Sequence, residues 1–329
     1  MKAVWYTRQG PAQEVLQYGE QPAPHAGAGE VRVHLHASGV NPADIYRRAG
    51  PNFAMDGPLV IPNSDGAGIV DEVGSGADRA LLGKRVWLYN GQRNGRVFGT
   101  AAEYIALDAD LVRVLPDHTT FVEGACLGIP AMTAHRAVTA GGDIAGRTVF
   151  ISGGAGAVGH YAVQWARRFG ARVITTVSSP EKAAHAAAAG ADLVINYRSE
   201  DVAARIRAFT GGQGLAHVAD LDFGANVGML VPLMAANGSL AYYATRSNLT
   251  PVFSADDFMR RNLTLCGIVL NGIPPAARHR AQDDIVRWLQ DGGMQHTVSS
   301  VHALADTAAA HDAVQAGGKR GTVVVDCTV

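Results

Sequence analysis

Cysteine is scarce in this chain. There are three, Cys126, Cys266 and Cys327, odd in number and far apart. That pattern excludes a disulfide framework and a cysteine-built zinc site, and it makes a reducing cytoplasm the expected compartment. An excess of charge of either sign is also missing. Lys plus Arg is 28 against 29 for Asp plus Glu, a formal net charge of -1. A broad nucleic-acid-binding surface needs a basic excess, so no nucleic-acid partner is expected. Long apolar runs are absent too. The longest uncharged stretch, 223–245, is interrupted by Pro232, Asn237, Gly238 and Ser239, so no membrane span is expected. The first residues, Met1, Lys2, Ala3, Val4 and Trp5, read as a strand and lack the apolar core of a signal peptide. There is no internal repeat. The one compositionally biased stretch, the alanines of 183–189, reads as good helix formers.

What is present is ample core material. Hydrophobic residues make up 47% of the 329 and charged ones 17%, which rules out disorder and suggests about two domains. The first ~120 residues read as short strands between turns. Val31, Val33 and Leu35 alternate with Arg32, His34 and His36, the signature of a half-buried strand. Asn41-Pro42, Gly57-Pro58 and Ile61-Pro62-Asn63 punctuate the region. Near Pro130 the texture changes to alternating strands and helices. Thr148-Val149-Phe150-Ile151 is a continuous apolar strand. A helix follows with Val158, Tyr161, Ala162, Trp165, Ala166 and Phe169 on one face, then a strand from Arg172 to Val177. Ser179-Pro180 supplies an N-cap and N1 pair for the next helix, and Gly190 closes it. Repeated βα units predict a parallel, doubly wound sheet with right-handed crossovers. The last ~60 residues break that rhythm and are expected to return to the first module.

Gly154-x-Gly156-x-x-Gly159 lies between the first of these strands and its helix. Glycine is abundant, 39 residues, so roughly half of one such match is expected by chance. The strand–loop–helix–strand context is what makes it informative. In that frame the first glycine is expected to allow the tight turn, the second to admit a pyrophosphate, and the third to pack helix on strand. The N–H groups of Ala157 and Val158 open the helix and, with the dipole, favour an anion. NAD binders carry an acid at the end of the second strand. Here that place is Val177-Ser178-Ser179, without a carboxylate. Lys182 falls in the first turn of the following helix, where a cation opposes the dipole unless an anion is also bound. Ser178 and Lys182 are therefore expected to hold the 2′-phosphate of NADPH.

With these residues in view, the chain resembles the zinc-free quinone oxidoreductases, the zeta-crystallin-like branch of the medium-chain dehydrogenase/reductases. The resemblance runs over essentially the whole length. It is carried by Ser38-Gly39-Val40-Asn41-Pro42-Ala43-Asp44-Ile45-Tyr46-Arg47, Asp65-Gly66-Ala67-Gly68-Ile69-Val70, Pro130-Ala131-Met132-Thr133-Ala134 and Val194-Ile195-Asn196-Tyr197-Arg198, with the glycine-rich loop. It implies an α/β fold in which a Rossmann sheet is inserted in a GroES-like β-barrel catalytic domain. The expected division is 1–124 and 268–329 for the catalytic domain and 125–267 for the NADPH-binding domain.

Zinc-dependent relatives place a cysteine where Asn41 stands and a histidine near Asn63-Ser64-Asp65; neither ligand type is present, so no metal is expected. Without a Lewis acid an ordinary ketone is a poor hydride acceptor, whereas a quinone is already electron-poor. The resemblance thus implies hydride transfer from NADPH to a quinone. An enone or enal reductase, or a non-catalytic crystallin-like NADPH binder, are the alternatives. Carried over by motif, Asn41 and Tyr46 are the expected catalytic residues. Asn41, Thr133, Tyr197 and Arg320 are expected at the cofactor with the loop residues, and Asp44 is expected to orient the loop. His34 and His36 read as polar-face residues and Cys126 as core. A homodimer is expected through the edge strand near 262–270.

Overall fold

A computed structural model describes the chain except for Pro51 and Asn52. Its contacts divide into two compact units, one of Met1–Ile129 with Gln282–Val329 and one of Pro130–Ala281. The first unit opens with β1 (Lys2–Trp5), β2 (Gln17–Glu20), β3 (Glu30–Val40), β4 (Asp65–Val73), β5 (Arg85–Leu88), β6 (Tyr104–Asp108) and β7 (Val112–Val114). The second supplies β8 (Thr148–Ile151), β9 (Arg172–Val177), β10 (Leu193–Asn196), β11 (Leu215–Asp220), β12 (Met234–Tyr242) and β13 (Thr264–Gly267). The chain ends in β14 (Val298–Ala303) and β15 (Thr322–Asp326), which belong to the first unit.

In the first unit β14, β15, β3, β4, β5 and β7 are neighbours in that order, with β6 also on β3. The alternation in β3 sets its faces. Val31, Val33 and Leu35 are fully buried and pack with Val70, Val86, Leu88, Ile105 and Leu107, while Arg32 and His34 are half-buried. The tail strand β15 runs antiparallel to β3, with Val323 opposite Val40. Its Val323 and Val325 join Val4, Val40, Ile45 and Ile61 in a second buried cluster.

The second unit is a six-stranded sheet in the order β10, β9, β8, β11, β12, β13. Every pair is parallel. The strand order reverses between β8 and β11, the point at which doubly wound sheets bind ligands. Phe150, Ile174, Ile195, Val218 and Leu240 form the core with Ile206 of the helix Val202–Thr210. The helix Ala157–Arg168 buries Tyr161, Ala162, Trp165 and Ala166. Ser179 caps the helix Pro180–Ala188, accepting from the Lys182 N–H, with proline in the first turn.

The units divide at 129/130 and 281/282, beyond the expected 124/125 and 267/268. Ala125 and Cys126 stay with the first unit because they pack against Ala37 and Val324. Ile268 stays with the second because its N–H donates to the Tyr242 carbonyl, 2.8 Å, prolonging the line of β13. Among the described residues no helix is long and apolar enough to cross a membrane.

Candidate active site

The glycine-rich loop joins β8 to the helix Ala157–Arg168 in the second unit. Hydrogen bonds from Gly154 N–H to the Thr176 carbonyl, 3.1 Å, and from Gly156 N–H to the Gly153 carbonyl, 2.9 Å, fix its path. The glycines divide the work differently from the sequence expectation. The turn residue is Gly153, with φ 68°, and not Gly154. Gly154 is required by its neighbour, since a Cβ there would collide with the Thr175 side chain. At Gly159 a Cβ would collide with the Gly153 carbonyl, which is the close helix packing expected of the third glycine.

Gly156 differs from both. A Cβ there would meet only the Gly153 carbonyl oxygen, 3.3 Å away. That contact is tight but far milder than those at Gly154 and Gly159, and the space a Cβ would occupy adjoins the half-exposed start of the helix. The first N–H groups of a helix have no acceptor within it. Here they are those of Ala157, Val158 and Gly159, since His160 already donates to the Gly156 carbonyl, 2.9 Å. Open space beside unpaired N–H groups at the positive end of a helix suits a phosphate.

The end of β9 adds a second polar group. Lys182 Nζ donates to Ser178 Oγ, 3.1 Å. The parallel pairing sets Asn196 beside Val177, and the Tyr197 N–H donates to the Val177 carbonyl, 3.1 Å. Tyr197 is therefore brought to Ser178 and Lys182, at the carboxyl ends of β9 and β10. Tyr197 is 53% exposed. Thr133 is buried in the helix Gly128–Thr139. Asp220 and Asp222, at the end of β11, are engaged in holding their turn. Asp220 accepts from Asn226 Nδ2, 2.9 Å, and from the Asp222 N–H, 3.1 Å. Asp222 accepts from the Ser247 hydroxyl. Burial raises the Asp220 carboxyl above its ordinary pKa.

In the first unit, Asn41 caps the helix Pro42–Ala49, which carries the half-buried Tyr46. Asn41 Nδ2 donates to Asp65 Oδ2, 2.7 Å, and the Ile129 N–H donates to the same oxygen, 2.8 Å. Asp44 holds the loop. Its Oδ2 accepts from the Asn41 N–H, 2.8 Å, and its Oδ1 from Ser64 Oγ, 2.8 Å, and Arg93, 3.0 Å. Asp65 is fully buried and its pKa is pushed up to about 8, first by burial, then by the charge of Asp44. Behind it runs a buried chain of polar groups. His311 Nε2 bonds Asn63 Oδ1, 2.8 Å; Asn63 Nδ2 donates to Ser38 Oγ, 3.0 Å; and Ser38 bonds Thr100, 2.7 Å. Asn63 adopts φ 71°, a left-handed conformation that asparagine tolerates better than most residues. Burial lowers the His311 pKa to about 3, so the ring is neutral in this chain of bonds.

Arg320 is exposed, in the segment leading to β15. His34 and His36 are half-buried on β3, stacked on Tyr104 and Phe121. Cys126 is fully buried. The positions where zinc-dependent relatives have ligands present an amide, a hydroxyl and a carboxylate already committed to internal hydrogen bonds. Among the described residues, no group of three or more His, Cys, Asp or Glu side chains is arranged to hold a metal ion. Asp65, Ser64, Arg93 and His311 were not among the expected site residues. A polar cluster at 63–65 directly before a glycine-rich strand was the available signal.

A nucleotide-type phosphate loop on a doubly wound sheet, in a chain whose flanks form a separate, mostly antiparallel β-module, defines a two-unit oxidoreductase of the dehydrogenase/reductase class. Known proteins agree. Residues 27–117 match the family described as alcohol dehydrogenase GroES-like domain, and 157–291 that described as zinc-binding dehydrogenase. A quinone oxidoreductase of Pseudomonas aeruginosa is 30% identical over 323 residues, covering 95% of each chain. A mycobacterial protein solved in complex with NADPH superposes with a TM-score of 0.85 at 29% identity, and an NAD-dependent alcohol dehydrogenase with 0.87 at 27%. Each superposition covers 99% of both chains. The chain belongs to the medium-chain dehydrogenase/reductase superfamily, in its zinc-free quinone oxidoreductase branch.

The contrast between Gly156 and Gly159 is testable. Gly156→Ala should lose less thermal stability than Gly159→Ala while its affinity for a reduced nicotinamide dinucleotide falls by about tenfold or more, because the methyl enters ligand space. Gly159→Ala should lower both, because its methyl displaces the loop. Thermal melts with fluorescence titration check this. Unchanged affinity in Gly156→Ala would refute the assignment of that space to the phosphates.

Proposed function

We propose that this protein is an NADPH-dependent reductase that delivers hydride, without a metal, to a quinone or a similarly electron-poor acceptor. The observation that carries the cofactor reading is the Lys182–Ser178 contact at the end of β9. A NAD binder would carry an acid there to take the ribose 2′-hydroxyl. A lysine in the first turn of a helix is unfavourable by itself and becomes favourable beside a 2′-phosphate. Similar solved structures include both a protein holding NADPH and an NAD-dependent enzyme. The fold thus leaves the choice of cofactor to these side chains.

The residues present fit the cofactor. The N–H groups at Ala157, Val158 and Gly159 and the open side of Gly156 would hold its diphosphate. Ser178 and Lys182 would hold the 2′-phosphate, and Tyr197 would lie over the adenosine end. Thr133, Asn41 and Arg320 are assigned to the cofactor by the family motif. When bound, NADPH supplies the hydride at its nicotinamide C4. The protein's own part is to bind, orient and supply a proton. Asn41, pinned through Nδ2, presents an amide of fixed orientation, and Tyr46 is the group proposed to give the proton. A quinone suits this equipment because it needs little polarisation to accept hydride, and the Pseudomonas aeruginosa relative carries that activity in its name.

Fluorescence titration should give a dissociation constant for NADPH at least about tenfold below that for NADH, the difference shrinking in Lys182→Ala. Tighter binding of NADH would overturn the cofactor reading. In steady-state assays kcat/KM for a benzoquinone should exceed that for an alkenal. Tyr46→Phe should lower kcat by about a hundredfold if the phenol is the proton donor, with NADPH affinity unchanged. Preference for the alkenal would move the substrate class to enals and enones, and undiminished kcat in Tyr46→Phe would remove the tyrosine from the chemistry.

The protein is also proposed to be a homodimer. β13 has β12 on one side and no strand on the other among the described residues. Leu265 on it is 38% exposed and Val269 just beyond it 71%. An open edge with apolar neighbours is a surface for pairing with a second copy. Light scattering should report twice the 34.4 kDa chain mass, and Leu265→Arg should shift it to the monomer. A monomeric wild type would exclude the dimer.

A further inference from the structure

The mechanism above uses Asn41 but assigns no role to the buried carboxyl beside it. Asp65 occupies a niche shaped for it. It is fully buried. A Cβ at Gly128 would collide with its carboxyl group, and one at Gly39 would lie 3.3 Å from its Cβ while striking the Ala125 carbonyl. Its two oxygens are used unequally. Oδ2 accepts from both Asn41 Nδ2 and the Ile129 N–H. Oδ1, against Gly128, is buried without a hydrogen-bond partner.

We infer that Asp65 is the positioning residue of the site: it fixes the plane and the sense of the Asn41 amide, so that the nitrogen is held toward Asp65 and the carbonyl oxygen toward the start of the helix that Asn41 caps. That the amide matters to turnover rests on the function proposed above; the fixing of the amide does not. An asparagine side chain can otherwise turn over and exchange its nitrogen for its oxygen. An acceptor at Asp65 removes that freedom, because only the nitrogen branch can face it. Both accepted bonds fall on one oxygen, so a proton can reside on Oδ1 without breaking either. The arrangement therefore survives in the protonated form, which burial and the neighbouring charge of Asp44 favour against the opposing pull of the Asn41 and Ile129 N–H groups and of Arg93. An asparagine at 65 can imitate that form, its carbonyl oxygen replacing Oδ2; an alanine cannot.

The test uses the whole chain and two readouts. In protein labelled with 15N at asparagine, the side-chain N–H signal that disappears in Asn41→Ala is assigned to Asn41. Its exchange with solvent should be slow in wild type and in Asp65→Asn, and at least about tenfold faster in Asp65→Ala, because a buried bond is lost. Gly128→Ala, which displaces the carboxyl without removing it, should behave as Asp65→Ala and serves if that variant does not fold. In turnover of NADPH with a benzoquinone, Asp65→Ala should lower kcat by about ten- to a hundredfold, with most of the loss recovered in Asp65→Asn. In an Asn41→Ala background the same substitution should cost less than about twofold. Unchanged amide exchange in Asp65→Ala, or an undiminished cost in the Asn41→Ala background, would overturn the inference. If the wild type turns over no acceptor, the proposed function fails, and the exchange measurement still decides whether Asp65 fixes Asn41.

Discussion

The antiparallel pairing of β15 with β3 is the contact on which the rest of the architecture depends. It places Val323 opposite Val40 and Asp326 opposite Ala37, and it buries Val323 and Val325 in the core of the first unit. Because the two strands lie at opposite ends of the chain, everything between 130 and 281 becomes an insertion that folds on its own contacts. Such an insertion is tolerable because the entropy of closing a loop grows only with the logarithm of its length. A strand with three consecutive buried valines between β14 and β3 offsets that cost.

The same pairing stations the functional segments of the first unit. β3 ends at Val40, and Asn41 begins the next helix. β4 begins at Asp65 and runs antiparallel to β3, with Gly39 opposite Asp65. The register alone therefore brings Asn41 and Asp65 within hydrogen-bonding distance, although they are 24 residues apart. Where zinc-dependent relatives have metal ligands on these two segments, this chain joins them by an amide–carboxyl bond and surrounds that bond with Ser64, Arg93 and the chain from His311 to Thr100. Buried polar groups of this kind are costly unless each finds a partner. The density of the network explains why so many of its residues are fully enclosed.

In the second unit the register does the equivalent work for a phosphate. Parallel pairing of β8, β9 and β10 aligns their carboxyl ends, and the loop after each strand contributes one part: the glycines after β8, Ser178 and Lys182 after β9, Tyr197 after β10. The glycines illustrate how the loop is specified. Three of the four are demanded by the protein's own geometry, through a left-handed turn or a severe clash, while Gly156 meets one milder contact, 3.3 Å from the Gly153 carbonyl. A less constrained glycine beside unpaired N–H groups is the feature that points outward, to a ligand.

Much of this is legible in the sequence. Val31, Val33 and Leu35 in alternation, Ser179-Pro180 ahead of a helix, and the glycine loop between a strand and a helix are local patterns, and local patterns follow from backbone sterics and the burial of one face. The absence of an acid after β9 was equally readable, as were the segments around Asn41 and Tyr197 through their likeness to a family. The turn role of Gly153, the unit boundaries at 129/130 and 281/282, and the roles of Asp65, Ser64, Arg93 and His311 were not. Each depends on which distant backbone passes nearby: the Thr175 side chain behind Gly154, the Ile129 N–H and Gly128 against Asp65, the helix Thr307–Gln315 bringing His311 to Asn63. The sequence by itself determined which segments are strands and helices and which of them carry polar groups. Only the tertiary structure decided which polar groups share a proton, because a hydrogen bond is set by ångström-scale separations that strand register creates and that spacing along the chain does not encode.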